Sequence, residues 1–154
     1  MYEKTNKLIP EVAQYWSNNS NCAQSCAAGI LERFQFNSQA QVCYHSFYPF
    51  GGGFDEGDVC GIVSGCLAAL SYLLHSQGFD KDNIFDKSAQ FRKKFHDKFS
   101  SITCYGLTNE FRDENHQTIE ERESDRKKRC DEAIIFGTNL ILSLLEPQEE
   151  KEPK

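Results

Sequence analysis

The chain has 154 residues, 39% of them hydrophobic and 26% charged, the balance of a soluble globular protein. That length suits one domain that buries about two-thirds of its unfolded surface and needs neither metal nor disulfide to hold it together. A net charge of −6 repels polyanions and excludes nucleic acid as a partner of the chain as a whole. In chain order, the opening MYEKTNKLIPEV has no apolar stretch of signal-peptide length, so the expectation is a cytoplasmic protein. Pro10 suits a first helical turn, with Ile9, Val12, Ala13 and Trp16 following at helical spacing. Asn18 to Asn21 end that helix and cap a second, from about Cys22 to Phe34, whose inner face carries Cys22, Cys26, Ile30 and Phe34.

Ser38 and Gln41 form a capping-box pattern for a short helix with Val42 and Cys43. An aromatic and glycine-rich loop, Tyr44 to Gly57, precedes Asp58, which is expected to cap a long helix from Val59 to Ser76 ending before Gly78. The apolar part of that helix, Val59 to Leu74, is shorter than the roughly twenty residues of a membrane span, so no membrane association is expected. Asp80 or Asp82 caps the next helix, with Phe91, Phe95 and Phe99 stacked one turn apart. Thr103 precedes a short turn or helix at Cys104. Residues 109 to 125 read as polar and exposed. A last helix from about Glu120 to Leu145 lays Cys130, Ile134, Gly137, Ile141 and Leu144 along one stripe. Its basic run, Arg126-Lys127-Lys128-Arg129, reads as a solvated face. The predicted fold is all-α: a single-domain bundle of about five to six helices over residues 1–146, with a disordered polar tail over 147–154.

Seven cysteines is a large and odd number for such a chain. It speaks against a secreted disulfide framework and for metal or cluster ligation, thiol redox chemistry, or burial as small apolar side chains. Cys22, Cys60 and Cys104 each follow a capping residue and fall in the first turn of a predicted helix. Free N–H groups and the helix dipole there favour the thiolate. Cys130 follows four basic residues. No C-x-x-C pair occurs, which removes local support for a zinc ribbon or a thioredoxin-like motif. Gly61 leaves the sulfur of Cys60 open to close approach, and Gly61, Gly65 and Ala69 form a small-residue stripe for helix packing. Gly51, Gly52, Gly53 and Gly57 can turn several N–H groups toward one point, a setting for an anion or for cluster sulfurs.

Asn21-Cys22-Ala23-Gln24, Phe50-Gly51-Gly52-Gly53, Cys60-Gly61-x-x-x-Gly65 and the single Cys104 and Cys130 resemble a family of redox-active proteins named for its C-GCAxxG-C-C cysteine pattern. A related domain in split-Soret cytochrome c carries an iron–sulfur cluster. By this resemblance Cys22, Cys60, Cys104 and Cys130 are expected to ligate a [2Fe–2S]-type cluster for electron transfer to a separate partner protein, tuned by Gly51, Gly52, Gly53 and Gly61. The sequence departs from the pattern at Ile62, where the family has alanine, and in carrying Cys26, Cys43 and Cys66 as well; it also lacks the haem-attachment motif. Two other readings stay open. One is a metal-free dithiol/disulfide enzyme with Cys60 as nucleophile and Cys22 or Cys104 as resolving thiol. The other is a structural zinc module held by the same four cysteines. Cys26 is a substitute ligand or resolving thiol in these schemes, Cys66 a core residue, and Cys43 either; His45 is the one histidine near enough in sequence to be a ligand. A homodimer contact through the small-residue stripe or the aromatic loop is also open.

Overall fold

The computed structural model describes residues 7–146. Among these, seven α-helices form in chain order: α1 (Pro10–Ser17), α2 (Cys22–Arg33), α3 (Asn37–Ser46), α4 (Gly61–Ser76), α5 (Lys81–Phe99), α6 (Cys104–Thr108) and α7 (Glu123–Leu145). Short 3-10 and π turns link them, and no strand forms among the described residues. The all-α expectation holds, with α6 taking the count past five to six. None of these helices is long and apolar enough to cross a membrane. The tail expected over 147–154 lies outside the described residues.

Two apolar stripes make the centre. In α2 the residues from Ala23 to Leu31 are all buried, because small side chains on one side and Ile30 and Leu31 on the other let α1, α3 and α4 surround it. In α4 the stripe Gly61, Gly65 and Ala69 faces α2. An added Cβ at Gly65 would stand 2.5 Å from the carbonyl oxygen of Ala23 and 3.0 Å from its Cα, so the two helices meet backbone to backbone. On the far side, α5 supplies Phe91 and Phe95, both fully buried, with Phe99 packed edge-on against Phe136 of α7 at 5.5 Å. The buried stripe of α7, Ile134, Gly137, Ile141 and Leu144, closes this layer as its spacing predicts.

Three local expectations are corrected. The long helix begins at Gly61, with Cys60 as its N-cap, rather than at Val59 under an Asp58 cap. Val59 is held extended by an antiparallel bridge to Thr103, Cys60 N donates to Ile102 O at 2.8 Å, and Cys104 N donates to Asp58 O at 2.8 Å. The two tertiary hydrogen bonds of this bridge therefore outweigh one more helical turn. The Ser38/Gln41 capping box does not form: α3 starts at Asn37 without a side-chain cap, and the Gln41 amide reaches the Tyr15 hydroxyl instead, at 3.2 Å. Residues 109 to 125 are polar but folded back on the bundle. Phe111 is buried between the guanidinium groups of Arg122 and Arg129, 5.0 and 5.3 Å from its ring.

Candidate functional site

The site is built where the starts of α2, α4 and α6 meet the middle of α7. Cys22 is the first residue of α2. Asn21 caps it with a reciprocal pair of bonds: the Asn21 side chain accepts from Gln24 N at 2.9 Å, and Gln24 Oε1 accepts from Asn21 N at 3.0 Å. The Asn21 amide also donates to the carbonyls of Phe47 and Tyr48, at 3.2 and 3.0 Å, and so ties the aromatic loop to the start of α2. That loop then runs through left-handed backbone at Gly52, Gly53, Phe54 and Asp55 (φ between 57° and 64°). Left-handed geometry is costly at Phe54 and Asp55, and the Gly52 N–H in this loop is one of the groups that lower the Cys22 thiol.

Replacing Asn21 by alanine is expected to remove about 1 kcal/mol from the cap alone. Losing both loop tethers as well should lower the melting temperature by roughly 2–8 °C, measured by thermal denaturation.

Cys60 is 3% exposed and its sulfur lies against that of Cys22. The Cys60 side chain beside it, the Gly52 N–H and the backbone at Cys22 and Ala23 all favour the Cys22 thiolate. Together they outweigh burial and hold the Cys22 thiol down at about 7. Cys60 is pushed well above the ordinary thiol value, first by the Cys22 side chain against it and then by burial. Gly61 has a plain reason to be glycine: a Cβ there would stand 2.5 Å from the Cys22 sulfur. Among the glycines expected to serve the site, Gly52 is thus a donor to sulfur and Gly61 a space left for it. A Cβ at Gly51 would stand 2.7 Å from the Cβ of Asn21, and Gly53 lies against Asp58.

Cys104 opens α6 under a Thr103 cap, whose Oγ1 accepts from Gly106 N at 3.0 Å. Burial raises its thiol, as does the charge of Cys22, while Arg112 and Arg126 oppose them. Cys130 lies one turn along α7 from Arg126, with the guanidinium Nη1 3.9 Å from its sulfur. Burial still pushes it up to about 11. Each of Cys60, Cys104 and Cys130 therefore feels the charge of Cys22, and the four occupy one electrostatic neighbourhood. The basic run of α7 is only half solvated. Lys127 and Lys128 are exposed, whereas Arg126 serves the thiols and Arg129 donates to Leu107 O at 3.1 Å and pairs with Glu110. A cleft lined by Trp16, Ser20, Arg126, Lys127, Cys130 and Asp131 opens beside the site.

Among the described residues no three His, Cys, Asp or Glu side chains converge where one metal ion would be held. A closed zinc cage of Cys22, Cys60, Cys104 and Cys130 is therefore not formed, since that site needs four sulfurs on a single ion. His45 is exposed and packs edge-on against Tyr44, 5.3 Å between rings. Cys43 is half-buried, which raises its thiol.

Sequence reasoning missed two things here. Arg112, from the segment read as exposed, reaches Cys104. Cys66, read as plain core, is buried beside Cys26 and raises its thiol. The helical spacing of Arg126 and Cys130, four apart, carried the signal for that contact; nothing local to Arg112 did.

A family model described as "Putative redox-active protein (C_GCAxxG_C_C)" matches residues 20–143. No curated protein and no solved structure matches the chain.

Proposed function

Because the chain belongs to the C_GCAxxG_C_C redox-active family, we propose that it works through the Cys22–Cys60 pair as a reversible dithiol/disulfide. The observation that carries this reading is the Cys22 sulfur packed at the start of α4, 2.5 Å from where a Cβ on Gly61 would stand and beside buried Cys60, with its thiol lowered to about 7. The Cys22 thiolate attacks one sulfur of a substrate disulfide and the other leaves as a thiolate, which takes a proton from water. Cys60 then gives up its proton and attacks the Cys22 sulfur, and the second substrate thiol departs. The substrate disulfide gains two electrons and the protein becomes the disulfide; a dithiol partner protein restores it by the reverse steps. Cys22 is the attacking thiol and Cys60 the resolving one in this scheme, the opposite of the assignment expected from sequence, because the proton rests on Cys60.

A second reading is favoured by the shared field of the four thiols and by the two arginines beside Cys104 and Cys130. In it Cys22, Cys60, Cys104 and Cys130 hold a [2Fe–2S] cluster, which supplies one-electron storage for exchange with a separate partner protein. Arg112 and Arg126 would offset the charge of the four thiolates, and Gly52 N–H would donate to one sulfur.

Purification without oxygen, a visible spectrum, and assays of iron, acid-labile sulfide and zinc separate the readings. The dithiol reading expects colourless protein that loses two hydrogens on mild oxidation and regains them with a thiol reductant. Brown protein with matching iron and sulfide would replace it with the cluster.

A further inference from the structure

Cys26 and Cys66 have no part in the chemistry above, yet they are arranged like the pair that does. Cys26 lies one helical turn after Cys22 on the same face of α2. Cys66 stands on the facing helix α4, beyond Cys60, and its side chain is the neighbour that most affects the Cys26 thiol. Both residues are 0% exposed. From the third side α7 seals them: a Cβ at Gly137 would stand 3.5 Å from Cys66 Sγ. Cys26 also feels the charges of both Cys22 and Cys60. Two thiol pairs are thus stacked along one helix–helix seam, the outer beside a solvent-facing cleft and the inner closed to solvent.

We propose that Cys26 and Cys66 are a second redox pair, oxidised not by an external reagent but by exchange with the Cys22–Cys60 disulfide. This rests on the dithiol reading of the outer pair. The Cys26 thiol loses its proton and attacks Cys60 Sγ; the Cys22–Cys60 bond breaks and Cys22 leaves as the thiolate, which its surroundings favour. Cys66 then loses its proton and attacks Cys26 Sγ, and Cys60 departs and is reprotonated. Two electrons pass from the inner pair to the outer one; of the two protons released, one is taken up at Cys60 and the other goes to water, leaving Cys22 as the thiolate, and nothing else is consumed. The outer pair, again reduced, can accept a second substrate disulfide. One chain therefore holds four electrons rather than two. Desolvation disfavours the inner thiolate, so the inner step is the slower of the two.

The test uses full-length protein, reduced and free of oxidant, mixed with glutathione disulfide and sampled over time. Free thiols are alkylated after acid quench and the disulfides mapped by peptide mass. The proposal expects a Cys22–Cys60 bond first and a Cys26–Cys66 bond later, the seven thiols falling to three as two disulfides take four. In Cys66→Ser the outer bond should form at the wild-type rate while the fall stops after two thiols. In Cys60→Ala, Cys26 and Cys66 should stay alkylatable throughout. A Cys22–Cys60 bond with Cys26 and Cys66 still free at the end of the course would overturn the proposal and leave the outer site standing. Inner oxidation as fast in Cys60→Ala as in wild type would overturn it too. If no Cys22–Cys60 bond forms at all, the reading of the outer pair fails, and the second pair falls with it.

Discussion

Changing Cys22 to serine is expected to abolish disulfide formation with Cys60 and to remove the one thiol of the site that reacts quickly at neutral pH. Serine nearly matches cysteine in size and keeps a hydrogen-bonding group under Gly52, so the helical fold should persist, as circular dichroism would show. The companion change, Cys60→Ala, reads the effect of the Cys60 side chain itself. In the native protein the Cys22 thiol is depressed to about 7, so alkylation by iodoacetamide should be slow below that pH and rise through it as the thiolate forms. Without the Cys60 thiol the midpoint should move up by about one unit toward the ordinary thiol value near 8.5. The rate at pH 7 falls only a few-fold, because a more basic thiolate is also more nucleophilic. The midpoint is therefore the quantity to follow. Cys60→Ser retains a polar side chain and should lie between the two. A midpoint that ignores Cys60 would mean that the helix start and the Gly52 N–H alone set the thiol.

A large effect on stability is expected at Gly65. A methyl group there meets the Ala23 carbonyl at 2.5 Å and the Ala23 Cα at 3.0 Å. Backbone cannot rotate away as a side chain would, so α4 has to move off α2. Overpacking of this kind costs about 1–3 kcal/mol and more where the neighbour is rigid, against a gain of about 1 kcal/mol from better helix propensity. For a chain of this size the net should lower the melting temperature by several degrees, at about 2–4 °C per kcal/mol. The same displacement parts both sulfur pairs, Cys22 from Cys60 and Cys26 from Cys66, so Gly65→Ala should slow disulfide closure as well as destabilise. Gly78→Ala is the contrast. Nothing lies within 4 Å of its Cβ position and only its left-handed backbone (φ 88°) resists the change, so the cost should stay near 1 kcal/mol with no effect on the thiols.

Periodic features were legible in the sequence. The buried faces of α2, α5 and α7 follow from apolar spacing, and the caps at Asn21, Asp80 and Thr103 from the residue types that accept from free N–H groups. So was the packing role of Gly61 and Gly65, since small residues every fourth position leave a groove. What local pattern does not carry was missed. The start of α4 is set by Thr103, Ile102 and Cys104, some forty residues away, which hold Val59 and Cys60 extended against their helical neighbours. The Ser38/Gln41 box failed because α3 starts before it, at Asn37, which puts Ser38 inside the helix. At the site, the four cysteines of the family pattern were visible, but the difference between the Cys22 and Cys60 thiols was not. It depends on the Gly52 N–H and on unequal burial of the two thiols, both set by tertiary folding. Cys66 lies six residues from Cys60 and looked unrelated to the site; its partner is on another helix.

The central claim is that Cys22 and Cys60 are one redox couple. Its most direct test is a brief reaction of the reduced protein with one equivalent of glutathione disulfide, quenched in acid, alkylated and mapped. The account predicts a Cys22–Cys60 disulfide as the first bond formed, reached through a transient glutathione adduct on Cys22. A first adduct on Cys60, or a first bond that leaves Cys22 free, would contradict it.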